Sequence, residues 1–439
     1  MLSHATGSII ERVLDKEAEP IDLYYGDKKD TRVSSVPTVQ RTNAVFSLSS
    51  ANLGGSASVY VSPDQGISNI MMGLKLPGTS AYSYLGGAVP RAWGYNAINF
   101  VQMRIGNSSL FQWSGRQLML MAIRSASSAY VADQLMNLAG QASFYNTDGS
   151  SSIDTTPGLP GINPFANDSF RWAYVNIPMP WCGNETDRRP LKTELLSSPV
   201  QIIVNLKAVS DIIAVAPGGT AVSAGTGWEQ AFLQVKQVQV VGDKRPAKPD
   251  VYALEATFTQ QENVAVATQA VATVQQELAL LGFRNGSIQE LDLYMLADST
   301  DMKANPFDYV LPYDVNIIYM GNQIHTFPGF SSQYWSRVYS EVPASFENIR
   351  YTQAVSTANP ALTSWIATAI KTSWVMVPFS GLRTHLDAEE PVSQSGLAVQ
   401  NGIINLQLKT GLSETAKVYY HADLQSAIVF HSGTADYAF

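Results

Sequence analysis

A chain of 439 residues is longer than one hydrophobic core usually organises, so two domains are expected. Hydrophobic residues make up 45% of it and charged residues only 15%, against about 25% in an average soluble protein, leaving much uncharged surface for neighbouring molecules to cover. The net charge of −8 argues against nucleic acid as a direct partner, because a phosphate-binding surface needs clustered Lys and Arg.

Residues 1–40 are polar and hold one short helical candidate at 8–16, where Ile9, Ile10, Val13 and Leu14 share a face. The EAEP and GDKKD segments that follow read as an extended arm, either a loosely ordered terminus or one that orders against a neighbour. From residue 41 the chain reads as strands separated by Gly, Pro, Asn and Ser clusters. In VQIIVNLK (200–207), Val200, Ile202, Val204 and Leu206 fall on one face, and in GIINLQLK (402–409) Ile404, Leu406 and Leu408 do the same. A period of two marks half-buried strands of a sandwich. Helices are expected at 115–139, 262–281 and 360–371, as insertions between strands rather than alternating βα units, so a parallel sheet is not expected.

Three pairs of segments echo each other in the same order. Gly106-Asn107, inside INFVQMRIGNSSLFQWSG, pairs with Gly321-Asn322, inside VNIIYMGNQIHTFPG. IIVNLK (202–207) pairs with INLQLK (404–409), and AFLQVKQVQVVG (231–242) with DLQSAIVFHSG (423–433). Conserved order with drifting spacing is the mark of one β domain present twice with different loop insertions. The segment DKRPAKPD, with two prolines among charges, reads as a linker. The expected organisation is an arm at 1–40, a first domain at 41–242, a linker at 243–250 and a second domain at 251–439.

Chemistry-bearing patterns are scarce. The densest basic spots, Lys28-Lys29, Arg188-Arg189 and Lys244-Arg245, each adjoin an Asp and read as solvated loops. Cys182 is the sole cysteine, which rules out an intrachain disulfide. The opening MLSHATGSIIERVLDKE lacks the charge-then-apolar pattern of a signal peptide, and no run approaches a membrane helix of about 18 apolar residues, so a chain made in a reducing cytoplasm is expected. The sequons at Asn107, Asn167, Asn184 and Asn285 then read as chance. His4, His325, His385, His421 and His431 show no metal-ligand spacing, with a structural or surface role favoured. Asp387, Glu389 and Glu390 offer too few oxygens for calcium and read as a solvated turn. The Gly-rich GGTAVSAGTG (218–227) lacks Lys and precedes no helix, so it reads as an inter-strand loop. Trp335, Trp365 and Trp374 are candidates to line a sugar site, but equally supply core or interface aromatics. The expectation is no enzyme, no catalytic, cofactor-binding or metal residues, and no cofactor.

Over roughly residues 90–439 the sequence resembles the double jelly-roll major capsid proteins of icosahedral double-stranded DNA viruses, the large nucleocytoplasmic and virophage-like lineage. The resemblance rests on ordered motifs: INFVQMRIGNSSLFQW with RQLMLMAI, then NIPMPWCGNETDRRPLKTELLSSPVQIIVNLK, then the closing FLQVKQVQVVGDKR. In the second half it rests on VYALEATFTQ, SIQELDLYML, NIIYMGNQIHTF, WVMVPFSGLRTHLDAEEPVSQSGLAVQNGIINLQLK and the terminal VYYHADLQSAIVFHSGTADYAF. Asn107 stands where a second Gly is common, and the first 40 residues match nothing in the family.

The resemblance implies an all-β chain of two tandem antiparallel eight-stranded jelly-roll sandwiches with a few helical insertions. It implies a major capsid protein whose homotrimers imitate a hexagon and tile the shell of a virion assembled in the host cytoplasm or virus factory. Implied partners are further copies of itself, minor capsid and penton proteins, and an internal membrane reached through the N-terminal arm. Loops such as 143–169 and 214–228 would form the outer face. The alternatives are a minor capsid or spike protein, or a non-viral carbohydrate-binding double β-sandwich.

Overall fold

The computed structural model describes residues 38–438 apart from 64, 79–85, 127, 146–150, 154–170, 181–190, 221, 242–250, 328–344, 356–362, 380–395 and 401–402. The arm helix at 8–16, the linker 243–250, the three basic spots, Cys182 and the 387–390 acidic turn all lie outside the described residues.

The first half supplies twelve strands in chain order: β1 (Thr38–Ser47), β2 (Gly55–Val61), β3 (Gly66–Lys75), β4 (Gly87–Val89), β5 (Ile98–Ile105), β6 (Ser108–Trp113), β7 (Ser143–Tyr145), β8 (Ser151–Ile153), β9 (Trp172–Ile177), β10 (Val200–Leu206), β11 (Ala214–Val215) and β12 (Gln230–Val241). Among the described residues three α-helices lie between them: α1 (Trp93–Asn96), α2 (Gly115–Arg124) and α3 (Ala129–Leu138). The second half supplies β13 (Val251–Thr259), β14 (Asn263–Ala267), β15 (Gln276–Leu280), β16 (Gly286–Ala297), β17 (Tyr313–Tyr319), β18 (Asn322–Phe327), β19 (Ser345–Val355), β20 (Thr363–Ser373), β21 (Val375–Pro378), β22 (Leu397–Val399), β23 (Ile404–Lys409), β24 (Ala416–His431) and β25 (Thr434–Ala438).

Two antiparallel sheets, ordered β1-β12-β3-β9 and β2-β10-β5-β6, make the first sandwich. In the second, β13-β24-β16-β21 faces β15-β23-β17-β18, with β14, β22 and β25 added along the first of these sheets. Strand for strand the two orders coincide, which is jelly-roll topology twice over. The three sequence echoes occupy equivalent strands: the hairpins β5–β6 and β17–β18, then β10 and β23, then β12 and β24. The hairpins are offset by one residue. Ile105 pairs with Ser108, so Gly106-Asn107 is the loop, whereas Tyr319 pairs with Asn322, so Met320-Gly321 is the loop. Gly106 has φ of 55° in the first turn; Met320 and Gly321 both have positive φ, 51° and 78°, in the second. Two-residue hairpin loops of these kinds follow the twist of their strands, and glycine enters the left-handed region without steric cost.

Two expected helices are strands instead. Segment 262–281 forms β14 and β15, paired with β24 and β23. Its alanines favour helix in isolation, but Gln276, Leu278 and Leu280 alternate inward with a period of two, and pairing overrides propensity. The described part of segment 360–371, from Thr363, falls in β20, which pairs with β19 over eleven residues; its Thr and Ile fit a pleated surface better than a helix. The helix expected at 115–139 is two helices, since Ser128 caps a new one by accepting from Val131 N–H at 3.2 Å. Of the loops expected on the outer face, 143–169 contributes β7 and β8, and 214–228 contributes β11. With β4 they form a small sheet ordered β11-β4-β7-β8.

Both sandwiches place their insertions between equivalent strands: α2, α3, β7 and β8 between β6 and β9, and the β19–β20 hairpin between β18 and β21. These insertions meet. Tyr351 and Trp365 of the hairpin pack with Ala88, Ala142, Ala214 and Ala216 of the first half. Trp365 Nε1 donates to Gly86 O at 2.8 Å, and buried Arg91 donates to Glu347 O at 2.6 Å.

The sheet carrying β16 is covered on both faces. Leu291, Leu293 and Met295 point into the second sandwich with Ile317, Leu406 and Val418. The alternate residues Tyr294 and Leu296 join Trp374 and Met376 in a core continuous with that of the first sandwich. One sheet thus serves as a wall of its own domain and as a floor for the other.

Candidate functional site

The junction between the two sandwiches is organised by α2. Its start is fixed by a capping box: Gln117 N–H donates to Ser114 Oγ at 3.2 Å, and Ser114 N–H to Gln117 Oε1 at 3.1 Å. Gly115 opens the helix against α1, where a Cβ would stand 1.9 Å from Tyr95 O, so only glycine permits this approach. Gln117 also reaches the second half. Its Nε2 donates to Gln260 O at 2.7 Å and its Oε1 accepts from Glu262 N–H at 3.2 Å.

Two arginines of α2 extend the junction. Arg116 makes a two-pronged contact with Glu262, Nη2 to Oε1 at 2.9 Å and Nε to Oε2 at 3.3 Å, and its guanidinium lies 4.0 Å from the centre of the Tyr419 ring. The same carboxylate accepts the hydroxyl of Tyr294. Burial works against the Arg116 charge, but Glu262 more than offsets it and holds the pKa above its ordinary value.

Arg124, on the last turn, meets three carboxylates of the second sandwich: Glu290 at 2.7 Å and Asp292 at 2.6 Å on β16, and Asp423 at 2.9 Å on β24. All three acids are buried, at 2%, 1% and 7% exposure, so their charge must be met locally. Asp423 also accepts from Thr259 Oγ1 at 2.7 Å. Fully buried His421 places Nε2 3.0 Å from Asp292 Oδ2. Burial opposes the imidazolium, yet Asp292 and Asp423 outweigh it and Arg124, so the His421 pKa is raised. The three carboxylates lie close enough to hold a cation. The Arg124 guanidinium already sits on them, and the group is an ion-pair hub joining the two halves.

Glu290, Asp292, Arg116 and Arg124 were not legible as a group in the sequence. The available signal was a pair of acids two residues apart on an otherwise apolar strand, which places both on one face. His421 takes a structural place in the hub, while His431 is exposed at the end of β24. His325 lies beside Phe379 with ring centres 5.3 Å apart, and burial lowers its pKa. His4 and His385 lie outside the described residues. Trp365 and Trp374 are buried at 5% and 0% exposure, so neither offers a face to a sugar; Trp335 lies outside the described residues. The 218–227 segment connects β11 to β12 without preceding a helix. Of the sequon asparagines, Asn107 and Asn285 are exposed, and the other two lie outside the described residues.

No protein-family model matches the sequence, and no curated protein sequence is similar to it. Solved structures are similar over almost the whole chain. The VP54 protein of PBCV-1, fitted into a reconstruction of the virophage Sputnik, matches with a TM-score of 0.58 at 11% identity, over 92% of this chain and 97% of that one. The PBCV-1 virus capsid matches at 0.55 and 12% identity over 92% and 97%, and the Sputnik virophage structure at 0.54 and 12% over 94% and 91%. The fold is that of the double jelly-roll capsid proteins. In this double jelly-roll chain, inward and outward positions alternate along strands such as β10 and β23, as a sandwich requires.

Removing the hub cation should be costly. Arg124→Met leaves three buried acids without their partner and should lower unfolding free energy by about 3–5 kcal/mol, read from chemical denaturation. A loss under about 0.5 kcal/mol would show that the hub does not hold the halves together. The His421 contribution has a defined sign. A group with a raised folded-state pKa stabilises fully below its unfolded value of 6.5 and loses that contribution as pH rises through the folded value. Melting temperature should therefore fall across that window in the native chain, and the fall should flatten in His421→Gln.

Proposed function

We propose that this chain is a major capsid protein whose homotrimers form pseudo-hexagonal capsomers of an icosahedral viral shell. The observation that carries the reading is the duplication itself: two jelly rolls of identical strand order, with insertions at equivalent positions, locked side by side through α2. One such subunit presents two similar lobes, so three subunits around a three-fold axis present six. Closed cyclic symmetry then gives a building block that fits a hexagonal lattice. The likeness to capsid structures over nine-tenths of the chain supports the same reading.

The surface composition agrees with coverage by neighbours. Tyr130 and Leu138 on α3, Val264 and Val266 on β14, and Met320 at the β17–β18 turn are exposed apolar side chains. Such residues are favoured where subunits meet. In this reading the division is 1–40 arm, 41–242 first roll, 243–250 linker and 251–439 second roll. The paired insertions rise from one end of both rolls and face outward. The arm reaches minor capsid proteins, penton proteins or an internal membrane on the inner side, and the protein acts by geometry without catalysis.

Light scattering after size exclusion should give three times the chain mass, and negative-stain microscopy should show six-lobed particles. A monomer at micromolar concentration would overturn the proposal. Deleting residues 1–25 should leave the trimer intact and impair shell assembly; shells of normal yield from that variant would remove the arm from the scheme.

A further inference from the structure

Beside the α2 start lies a cleft of about 70 Å³ that is not part of the ion-pair hub. Asn96, Ser114, Gly115, Arg116 and Lys207 line it from the first roll, and Phe307 closes it from the second. By volume it holds several waters or one small polyatomic ion.

Its chemistry is one-sided. Lys207 Nζ donates to Asn96 Oδ1 at 2.9 Å, and no carboxylate pairs with it among the described residues. Asn96 is 4% exposed, and its Nδ2 is buried without a hydrogen-bond partner. The capping box takes up the Gln117 N–H but leaves those of Gly115 and Arg116 at the positive end of a ten-residue helix. Arg116 is balanced by Glu262, whereas Lys207 has only the more distant fields of Asp211 and Glu262 on its side. Burial first, and then the neighbouring Arg116, push the Lys207 amine down to about 8. An ammonium disfavoured by burial and by a second cation marks a place where an anion would be welcome.

We propose that this cleft binds a small oxyanion such as phosphate or sulfate, held by the Lys207 ammonium, the Asn96 amide and the α2 N–H groups. The volume excludes a polyphosphate chain. The bound ion would sit at the seam of the two rolls, with Phe307 of the second roll over it, and would relieve the repulsion between Lys207 and Arg116. The site does not depend on the capsid reading, since all its residues belong to one chain.

The test uses the full chain and inorganic phosphate, with potassium chloride at matched ionic strength as the reference. Lys207 acetylation by a water-soluble ester, followed by peptide mass spectrometry, should slow in phosphate. At ten times the dissociation constant the rate should fall about tenfold, and the midpoint of its pH profile should move up from about 8. Phosphate should also raise the melting temperature beyond the chloride value, and Lys207→Met should abolish that excess while Lys417→Met, on exposed β24 surface, should keep it. Equal protection of Lys207 by chloride in the native chain would overturn the proposal, and so would a phosphate-specific melting shift that survives Lys207→Met.

Discussion

An arginine from one sandwich is buried against three acids of the other, and much of the architecture follows from that one placement. Arg124 cannot leave Glu290, Asp292 and Asp423 without exposing four charges to imperfect surroundings, and the acids cannot remain buried without it. An apolar contact can slide by a rotamer at small cost, but a guanidinium shared among three carboxylates has one geometry. Two jelly rolls packed by hydrophobic contact alone could rock on each other; this hub, with Gln117 and Arg116 on the same helix, fixes their orientation.

The hub also explains why the β16 sheet is buried on both faces. In a sandwich exposed on one side, the outward residues of a strand are free to be polar. Here the outward set of β16 is Glu290, Asp292, Tyr294 and Leu296, acids toward the hub and apolar groups toward the shared core. The polar alternation survives, but its charges face a helix instead of water.

Much of this was legible beforehand. Period-two burial in β10 and β23, the ordered echoes and the scarcity of helices are local properties, and local patterns of this kind specify strands and their repetition. The errors came where local preference and tertiary pairing disagree, as in the Ala-rich 262–281 segment, whose alternation is visible only once β23 and β24 lie beside it. The hub was out of reach for a different reason. Arg124 and Asp423 come together only through the register of β16 on β24 and the docking of α2, neither of which is written in spacing along the chain. The hairpin echo was right in topology and one residue off in register, because glycine serves the first loop position in one turn and the second in the other.

The contacts between the halves bear on the peptide connection from Val241 to Val251. Besides the hub, the halves are latched a second time, where the β19–β20 hairpin meets Gly86 and Arg91 of the first half. With two latches and a shared core, the covalent bond is mechanically redundant once folding is complete. What it secures is stoichiometry and handedness. Each first roll receives one second roll, always on the same side, so a ring built from such units would alternate strictly between two kinds of lobe. In the proposed trimer, a six-fold outline and three-fold chemistry would coexist in one object, and each of the alternating corners would have its own set of neighbours.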